Sequence, residues 1–455
     1  MICLFLEHLS HAVNESKYLM GTKPVRIVAQ FDADGITSAT IICKMLLREG
    51  INFELRIVKQ LTKEEIDDLE TEGKMLIFLD CGSGQIDQLK HLADDNSILI
   101  IDHHLPADEE HPNILHVNPM LHGEGELSAS IVSYLFAKNF NQQNSDLIDL
   151  AIIGAVGDAQ DEDEGFNDTL KKFVSEEEIA GKVSITTGIR VYGYNTRPVF
   201  KALAYTYDPY IPGISGSESN AVQFLADIGI SATDGQDWRR MCDLSIEEQK
   251  RLASALILQR LGLPEDAVKI FGNIYTLIGK PPELQDAKEF ATLLNACSRT
   301  GDVETALRIC LGDFSVLERS KEVIETYRKI LSDALNLVGT SLITGKNANF
   351  LFAEDKISDA VIGTVVSIAL NSNMVEQTKP MFGLANVDGK TVKVSARSRG
   401  SENLAEIVLK ASKLVGGYGG GHKHAAGAFI PKGKEKEFIS IIDSLLSGTN
   451  GNQEG

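Results

Sequence analysis

Short apolar runs alternate with amphipathic stretches over the first part of the chain. Residues 25–31, 53–58, 75–79 and 98–101 are rich in β-branched or aromatic side chains, which predicts strands. Between them, residues 37–48 and 61–71 carry the i, i+3, i+4 apolar spacing of helices. Near-continuous apolar strands that alternate with helices indicate a parallel sheet covered on both faces. The pattern therefore predicts a doubly wound α/β domain over residues 1–190.

After residue 195 the pattern becomes mainly helical. Helical spacing at 246–261 and 284–298, with turns marked by Pro and Gly clusters, predicts a mostly helical insertion over residues 195–325. Residues 326–447 are predicted as a smaller α/β domain, and 448–455 as a disordered tail. A long helix at 318–338 is predicted to lead into the α/β domain. The other predicted elements of this domain are strands at 349–353 and 391–396, a helix at 403–415, a glycine-rich loop at 416–421 and a helix at 434–447.

The charge of the chain is unevenly distributed. Its 455 residues hold 44 Lys and Arg against 64 Asp and Glu, a formal net charge of −20. This balance speaks against a protein that wraps duplex nucleic acid with a uniformly basic surface, because phosphate affinity needs Lys and Arg. Residues 388–436, however, hold ten Lys or Arg against four acidic residues. A locally basic lobe on an acidic protein fits a substrate that carries several phosphates.

Membrane and secreted classes are not expected. No apolar run approaches the roughly 18–20 residues that span a bilayer. The N-terminal MICLFLEHLSHAVNESK carries Glu7 and His8 within its apolar stretch, which indicates a helix and not a signal peptide. The six cysteines form no C-x-x-C pair and most lie in apolar context, as reduced core cysteines do. We expect a cytoplasmic protein without a zinc site or a disulfide framework.

Acidic residues and histidines follow several apolar runs of the first domain. They are Asp32 and Asp34 in FDADG, Asp80 in LDCG, Asp102, His103 and His104 in IIDHH, and Asp158 in AIIGAVGD. Because ligands gather at the carboxyl ends of strands in an open parallel sheet, we expect these side chains to meet in one crevice. His91, His111 and His116 are expected to be surface residues without a role.

This set of residues is typical of a divalent-cation site. In extended backbone Asp32 and Asp34 would point to the same side, and Gly35 would let the chain turn into the next helix. A cluster of Asp and His without Cys suits Mn²⁺ or Mg²⁺ better than structural zinc. Two such ions ~3.5–4 Å apart would support an in-line displacement at phosphorus.

The ordered set DADG, DCG, DHH and GD resembles the four-motif signature of the DHH phosphoesterase superfamily. VKVSARSRG (392–400) and GGYGGGHKHAAGA (416–428) resemble the DHH-associated C-terminal domain, which holds the substrate. Residues 197–216 and 286–299 resemble the insertion of archaeal RecJ-like exonucleases, among them the GINS-associated nucleases. The resemblance covers nearly the whole chain.

The resemblance implies a role for each matching residue. Asp34, Asp80, His103 and Asp158 would hold one metal ion, and Asp32 with Asp80 the second. His104 would contact the scissile phosphate or protonate the leaving oxygen, and Asp102 would orient the histidines. The implied substrate-binding residues are Ser395, Arg397, Gly419, Gly420, Gly421 and His422. Gln30 departs from the pattern, since many relatives carry His or Asp there, so the second ion is expected to bind more weakly.

The implied function is a metal-dependent, single-strand-specific exonuclease that releases mononucleotides and acts in DNA replication or repair. One alternative is a phosphodiesterase for nanoRNA or nucleoside bisphosphates, which would use the same catalytic residues. Another, motivated by Gln30, is a non-catalytic replisome scaffold that binds GINS. The sequence leaves open the polarity, the preference for DNA or RNA, and the oligomeric state.

Overall fold

The structure, a computed structural model, describes residues 2–69, 71–107, 110–123, 127–161, 165–167, 170–171, 175, 181–207, 209–262, 267–372, 374–421 and 423–450. The chain divides into two compact units. The first unit comprises Met1–Gly188 and Gly272–Glu325, and the second comprises Ile189–Phe271 and Thr326–Gly455. Each unit is therefore assembled from two separate stretches, and the segment 195–325, predicted as one insertion, contributes to both.

The elements of the described residues are numbered along the chain. The strands are β1 (Val25–Gln30), β2 (Phe53–Val58), β3 (Met75–Leu79), β4 (Ser97–Ile101), β5 (Ile114–Val117), β6 (Val183–Ile189), β7 (Thr233–Asp234), β8 (Asp237–Trp238), β9 (Phe271–Leu277), β10 (Leu342–Thr344), β11 (Asn349–Glu354), β12 (Met381–Asn386), β13 (Thr391–Arg397), β14 (Tyr418–Gly421) and β15 (Ala425–Pro431). The α-helices are α1 (Ile2–Thr22), α2 (Ala33–Arg48), α3 (Lys63–Asp67), α4 (Ile86–Ala93), α5 (Ala129–Phe140), α6 (Ile148–Gly157), α7 (Val199–Tyr205), α8 (Glu218–Asp227), α9 (Ile246–Arg260), α10 (Ala287–Arg299), α11 (Val303–Leu311), α12 (Leu317–Ser341), α13 (Ile362–Asn371), α14 (Leu404–Leu414) and α15 (Glu435–Asn450).

A parallel sheet forms the centre of the first unit. Its strand order is β2-β1-β3-β4-β5, and each pairing is parallel. After β1 the chain adds β2 on one side and then continues with β3 on the other, so the strand order reverses between β1 and β3. The central strands are almost wholly buried, as the near-continuous apolar runs predict. The predicted doubly wound sheet is confirmed, and the reversal marks the edge at which ligands gather.

One predicted site residue follows a helix and not a strand. The apolar run that precedes Asp158 forms α6, whose residues from Ile148 to Val156 are buried almost throughout. A short continuous apolar run fits a buried helix as well as a buried strand, because neither leaves a polar face. The acidic residue therefore caps the carboxyl end of α6.

The first stretch of the second unit is mainly helical. Helices α7, α8 and α9 enclose a core that includes Leu203, Leu225 and Leu256, and a short antiparallel pair joins β7 to β8. Arg328 of α12 places its guanidinium carbon 4.4 Å from the ring centroid of Tyr192, which attaches the long helix to this core. The helical character agrees with the sequence pattern.

The second stretch of this unit forms a mixed sheet with the strand order β10-β11-β12-β13-β15-β14. β11 and β12 are parallel, and the other pairs are antiparallel. One face packs against α14 and α15, and α13 lies against β12 and β13. Two expectations are corrected, because Tyr418–Gly421 of the glycine-rich loop pairs as a strand and α15 continues to Asn450, inside the predicted tail.

Among the described residues, none of the helices combines the length and the hydropathy that crossing a bilayer requires.

Candidate metal centre

The turn from β1 into α2 places the first two aspartates differently from the expected extended pair. Asp32 is the N-cap of α2, where its Oδ1 accepts a hydrogen bond from the amide of Gly35 at 3.0 Å. Asp34 lies in the first helical turn, because the helix begins two residues after β1 ends. Glycine is needed at position 35, since a Cβ there would lie 2.2 Å from the carbonyl oxygen of Gln30. The close approach of strand end and helix therefore sets this turn.

Asp34 is held by the N-terminus of another helix. Its side chain is almost fully buried, and its two oxygens accept hydrogen bonds from the amides of Ala129, at 2.7 Å, and Ser130, at 3.0 Å. Both amides belong to the first turn of α5, where unpaired N–H groups and the helix dipole favour a negative charge. Burial nevertheless raises the pKa of Asp34, against the opposing effects of His103 and Ser130.

Asp80 has a buried carboxylate oxygen without a hydrogen-bond donor among the described residues. It follows β3 with a φ of 58°, in the left-handed region, and its side chain is buried. Its Oδ1 is buried and accepts no hydrogen bond from the described residues, although His103 Nε2 lies 3.4 Å away and His104 Nδ1 3.8 Å away. Burial, followed by the charges of Asp32 and Asp34, raises the pKa of Asp80 well above its usual range. An unpaired carboxylate oxygen aimed at two imidazoles fits a bound divalent cation.

Asp102 faces the backbone and His104, away from the other carboxylates. Its Oδ1 accepts hydrogen bonds from the amides of His103 and His104 and from His104 Nδ1, the last at 2.7 Å, and its Oδ2 accepts one from the amide of Ser83 at 2.9 Å. Although burial opposes ionisation, the histidine charges and these hydrogen bonds lower the pKa of Asp102. A carboxylate in this setting orients histidines, as outer partners of metal ligands do.

The surrounding carboxylates raise the pKa of both histidines. Burial opposes protonation of His104, but Asp102 outweighs it and raises the pKa to about 9. Burial likewise opposes protonation of His103, and the carboxylates around it, Asp158 and Asp34 first, raise its pKa. Burial raises the pKa of Asp158 to about 7. Protonation of these three groups offsets the negative charge of the cluster, as a bound cation would.

Two groups of side chains in the described part of the chain have the spacing of a metal site. Asp80, His103 and His104 form one, and Asp34, His103 and Asp158 form the other, with the ligand atoms of each within 4.8 Å of one another. His103 belongs to both groups, so the two sites adjoin. Asp32 is in neither, although its charge acts on Asp80. Carboxylate oxygens with imidazole nitrogens are a donor set that Mn²⁺ and Mg²⁺ accept.

Sequence reasoning missed a helix that closes this centre. Asn295 on α10 accepts a hydrogen bond from the amide of Ala33 through its Oδ1 at 3.0 Å, and Ser298 donates its hydroxyl hydrogen to the carbonyl oxygen of Phe31. Both bonds fasten the turn that carries Asp32. The sequence marked residues 286–299 only by their resemblance to an insertion of related proteins. No spacing of residues along the chain predicts that this helix contacts residues 31–33.

A hydrogen-bond chain behind Asp102 was also missed. His116 is half-buried, contrary to the surface position expected for it, and its Nε2 lies 2.7 Å from the hydroxyl oxygen of Ser83. Asn118 donates from its Nδ2 to that hydroxyl and to the carbonyl oxygen of His104. Burial lowers the pKa of His116 to about 4, so it is neutral in this chain. The loops after β3, β4 and β5 are thereby joined.

The described substrate-binding residues predicted in the second unit lie on two strands of one sheet, β13 and β14, with β15 between them. Ser395 and Arg397 are on β13, and Arg397 donates from Nε to the hydroxyl of Ser367 on α13 at 3.0 Å. Gly419, Gly420 and Gly421 are in β14, paired with β15. A Cβ at Gly419 would lie 2.7 Å from the carbonyl oxygen of Gly427, and Gly421 has a φ of 139°, so both positions require glycine. His422 lies outside the described residues.

Family comparisons agree with this architecture. The model described as "DHH family, N-terminal domain" matches residues 24–155, the DHH-CID domain matches 191–270, and the DHHA1 domain matches 347–448. The uncharacterized protein MJ0831 of Methanocaldococcus jannaschii is 32% identical over 461 residues, which cover 97% of this chain and 97% of that protein. The chain therefore belongs to the DHH family of phosphoesterases.

Solved structures of RecJ and CDC45 share the fold of this chain. RecJ from Thermus thermophilus, in complex with Mn²⁺, superposes with a TM-score of 0.60 at 18% identity over 97% of this chain and 55% of its own. CDC45 from Entamoeba histolytica gives 0.65 at 12% identity, over 96% of this chain and 99% of its own. At these identities the likeness is one of fold, and this chain spans about half the length of the Thermus protein.

Proposed function

We propose that this protein is a metal-dependent exonuclease that releases mononucleotides from single-stranded DNA or RNA. The observation that carries the proposal is the buried, unpaired Oδ1 of Asp80 beside His103 and His104. A second support is that solved structures of the same fold include an exonuclease RecJ bound to manganese, with a TM-score of 0.58 at 18% identity over 96% of this chain and 94% of its own.

The residues that would hold two Mn²⁺ or Mg²⁺ ions are Asp32, Asp34, Asp80, His103 and Asp158. Bound ions of this kind supply Lewis acidity toward water and phosphoryl oxygens and offset their negative charge. The buried position of Asp34 and Asp80 keeps this charge within a region of low dielectric constant, where electrostatic interactions are strong. The amide of Gln30 is a weaker ligand than the His or Asp of relatives, so one ion would bind less tightly.

His104 is the residue suited to the leaving oxygen. Its Nδ1 is engaged by Asp102, so Nε2 is the ring nitrogen that can donate to a substrate, and its side chain is 41% exposed. With its pKa raised to about 9, His104 carries a proton at neutral pH. It would hold the phosphate by a charged hydrogen bond or donate a proton to the leaving oxygen, while Asp102 fixes the ring.

Ser395 and Arg397 would bind a phosphate of the strand in the second unit. Their strand lies in the basic segment 388–436, which attracts a polyanion although the chain as a whole is acidic. The acidic remainder disfavours wrapping of a duplex, so a single strand is the better substrate.

The test is release of nucleotides from end-labelled single strands, DNA beside RNA, labelled at the 5′ or the 3′ end, in Mn²⁺. We expect stepwise release of mononucleotides by the wild type and its loss in Asp158→Asn. Asp87→Asn, which changes an exposed carboxylate on α4, is the matched control and should keep full activity. Absence of release by the wild type overturns the proposal, and activity that survives Asp158→Asn assigns it to another site. A steep preference for dinucleotides over 20-mers would indicate the small-substrate alternative.

A second candidate is a non-catalytic replisome component that binds GINS. The fold similarity to CDC45 along nearly the full length of both chains favours it, as does Gln30. The two candidates separate by calorimetry: the scaffold predicts no binding of Mn²⁺ together with co-purification of a replication complex, whereas the nuclease predicts Mn²⁺ binding that Asp80→Asn weakens.

A further inference from the structure

The sheet of the second unit has one face that packs and one that is partly open. Side chains alternate between the two faces of a strand, and Val392, Val394 and Ala396 of β13 point into the core under α14 and α15. The opposite face of β13 carries Lys393, Ser395 and Arg397, of which Ser395 is buried and the other two are half-buried. Helix α13 lies against β12 and β13 on this side, where a Cβ at Gly363 would be 3.4 Å from the hydroxyl of Ser395.

A row of three side chains crosses the strands beyond α13. Lys393 is opposite Phe429 on β15, and Phe429 is opposite Tyr418 on β14. The rings of Tyr418 and Phe429 are stacked, with centroids 5.4 Å apart and planes inclined by 18°, and the Nζ of Lys393 is 5.8 Å from the Phe429 centroid. Tyr418 remains 47% exposed although its ring is stacked. The row is therefore a stack of two rings, with a cation over Phe429 at one end and the partly exposed ring of Tyr418 at the other.

The next row along the same face has almost no side chains. Ser395 is opposite Gly427, and Gly427 is opposite Gly420. A Cβ built at Gly420 would meet no atom of the described residues within 4 Å, so the backbone there is open on this side as far as the structure describes it. This glycine row lies two residues from the aromatic row, roughly 7 Å along the strands, with Arg397 two residues further on. The open backbone at Gly420 thus lies between the aromatic row and the level of Arg397 along the strands.

We propose that Tyr418 and Phe429, with Lys393, form a stacking platform for a nucleobase of the single-stranded substrate. The platform takes the nucleotide next to the one whose phosphate lies at Ser395 and Arg397. This inference rests on the proposed function, because it requires a nucleic-acid substrate.

The chemistry of the surface favours a nucleobase over a protein side chain. Exposed aromatic faces beside a basic groove are the means by which proteins hold single strands without choosing a sequence. The glycine row admits a sugar–phosphate backbone close to the sheet, and Lys393 adds a positive charge on the path of the next phosphate. The positive charge, the exposed aromatic ring of Tyr418 and the proximity to Arg397 all match one occupant, an extended single strand.

The experiment measures binding of a fluorescein-labelled thymidine 20-mer, by anisotropy, to full-length protein carrying Asp80→Asn so that the strand is not consumed. The same strand with abasic positions throughout is the second ligand. We expect Tyr418→Ala to weaken binding of the thymidine strand by roughly 5- to 100-fold and to change binding of the abasic strand by less than about twofold. Tyr418→Phe should restore the affinity, since a phenyl ring stacks as well.

Matched variants separate stacking at Tyr418 from the loss of any exposed ring and from the effect of charge. Tyr18→Ala removes an exposed tyrosine from α1 in the first unit and should leave both affinities unchanged. Lys393→Ala should lower the slope of log affinity against log salt by about 0.7, the value for one phosphate contact on a single strand.

The results distinguish failure of the proposed exonuclease function from failure of the stacking platform alone. If the protein binds neither strand, the proposed function falls and the platform with it. If it binds both and Tyr418→Ala weakens neither, or weakens both equally, the platform is overturned and the exonuclease is not; a protein partner then becomes the occupant of the aromatic row.

Discussion

The carboxylate centre of the first unit and the open sheet face of the second unit use a β-sheet in opposite ways. The carboxylate centre lies at the carboxyl edge of a parallel sheet, where Asp34 and Asp80 are buried and their pKa values are raised. The open face is the broad side of a mostly antiparallel sheet, where glycines without side chains lie beside an exposed tyrosine. Buried carboxylates with raised pKa values suit the binding of a cation, whereas an open basic face suits the binding of a polyanion. Changes in the two regions should therefore alter different kinetic constants.

The largest effect is expected from Asp80→Asn. The change removes a negative charge and a cation ligand, and asparagine tolerates the left-handed backbone that position 80 requires, so the fold is kept. We predict a loss of about 1000-fold or more in kcat with Mn²⁺, equivalent to about 4 kcal/mol of transition-state stabilisation. Steady-state kinetics on a single strand, with circular dichroism as the check of folding, measures it. A variant that keeps more than a tenth of the activity would place the chemistry elsewhere.

Arg397→Lys should affect binding and not turnover. Lysine keeps the charge but loses the planar fork, of which Nε and Nη1 bond to Ser367 and to the carbonyl oxygen of Ala396. We predict a rise in KM of roughly 10- to 100-fold with kcat nearly unchanged, from the loss of a charge-assisted hydrogen bond. Ser367→Ala is the companion variant, since it frees Nε without touching the guanidinium. A fall in kcat at constant KM would contradict the assignment of turnover to the carboxylate centre and of substrate binding to the open sheet face.

Metal affinity should depend on pH through Asp158. Its pKa of about 7 in the ion-free chain means that this carboxyl is largely protonated below pH 7, and a cation must displace the proton. Binding of Mn²⁺ should thus weaken as the pH falls below 7, by up to about tenfold per pH unit for one proton released. Calorimetry in buffers of different ionisation enthalpy measures the proton release. Asp158→Asn should flatten this dependence; an unchanged slope in that variant would assign the proton to another group.

The smallest of these effects is expected from Asn295→Ala. The substitution removes the acceptor that holds the amide of Ala33, so the turn carrying Asp32 loses a support without losing a ligand. We predict a loss of about tenfold in Mn²⁺ affinity or kcat, as for other outer partners of metal ligands. Thr292→Ala on the same helix, whose hydroxyl bonds only within α10, is the matched control. Equal losses in both variants would indicate general destabilisation of the helix.

The sequence predicted those parts of the centre that depend on local pattern. Asp80 and the residues Asp102, His103 and His104 follow strands, and a parallel sheet brings the ends of its strands to one edge whatever the loops do. Asp158 was expected at a strand end, because the short apolar run AIIGAVG before it does not distinguish a buried helix from a buried strand.

Other contacts have no local pattern at all. Ser83 follows β3, whereas His116 is on β5 and Asn118 directly follows that strand. Their hydrogen bonds depend on how these two distant segments pack and not on spacing in either one. The glycine-rich run 416–421 suggested a loop, because glycine is rare in strands. Residues Tyr418–Gly421 nevertheless pair with β15, and a side chain at Gly419 or Gly421 would clash with that strand.

The hydrogen bond between Asn295 and Ala33 also bears on how the protein is made. It joins residues 262 apart in sequence, and during synthesis the β1–α2 turn leaves the ribosome long before α10 does. Contacts of such long separation slow folding, because the entropy of closing a long loop is lost before the contact forms. The turn that carries Asp32 is thus completed late, and a nascent chain that ends before residue 287 has the motif residues without the helix that fastens them.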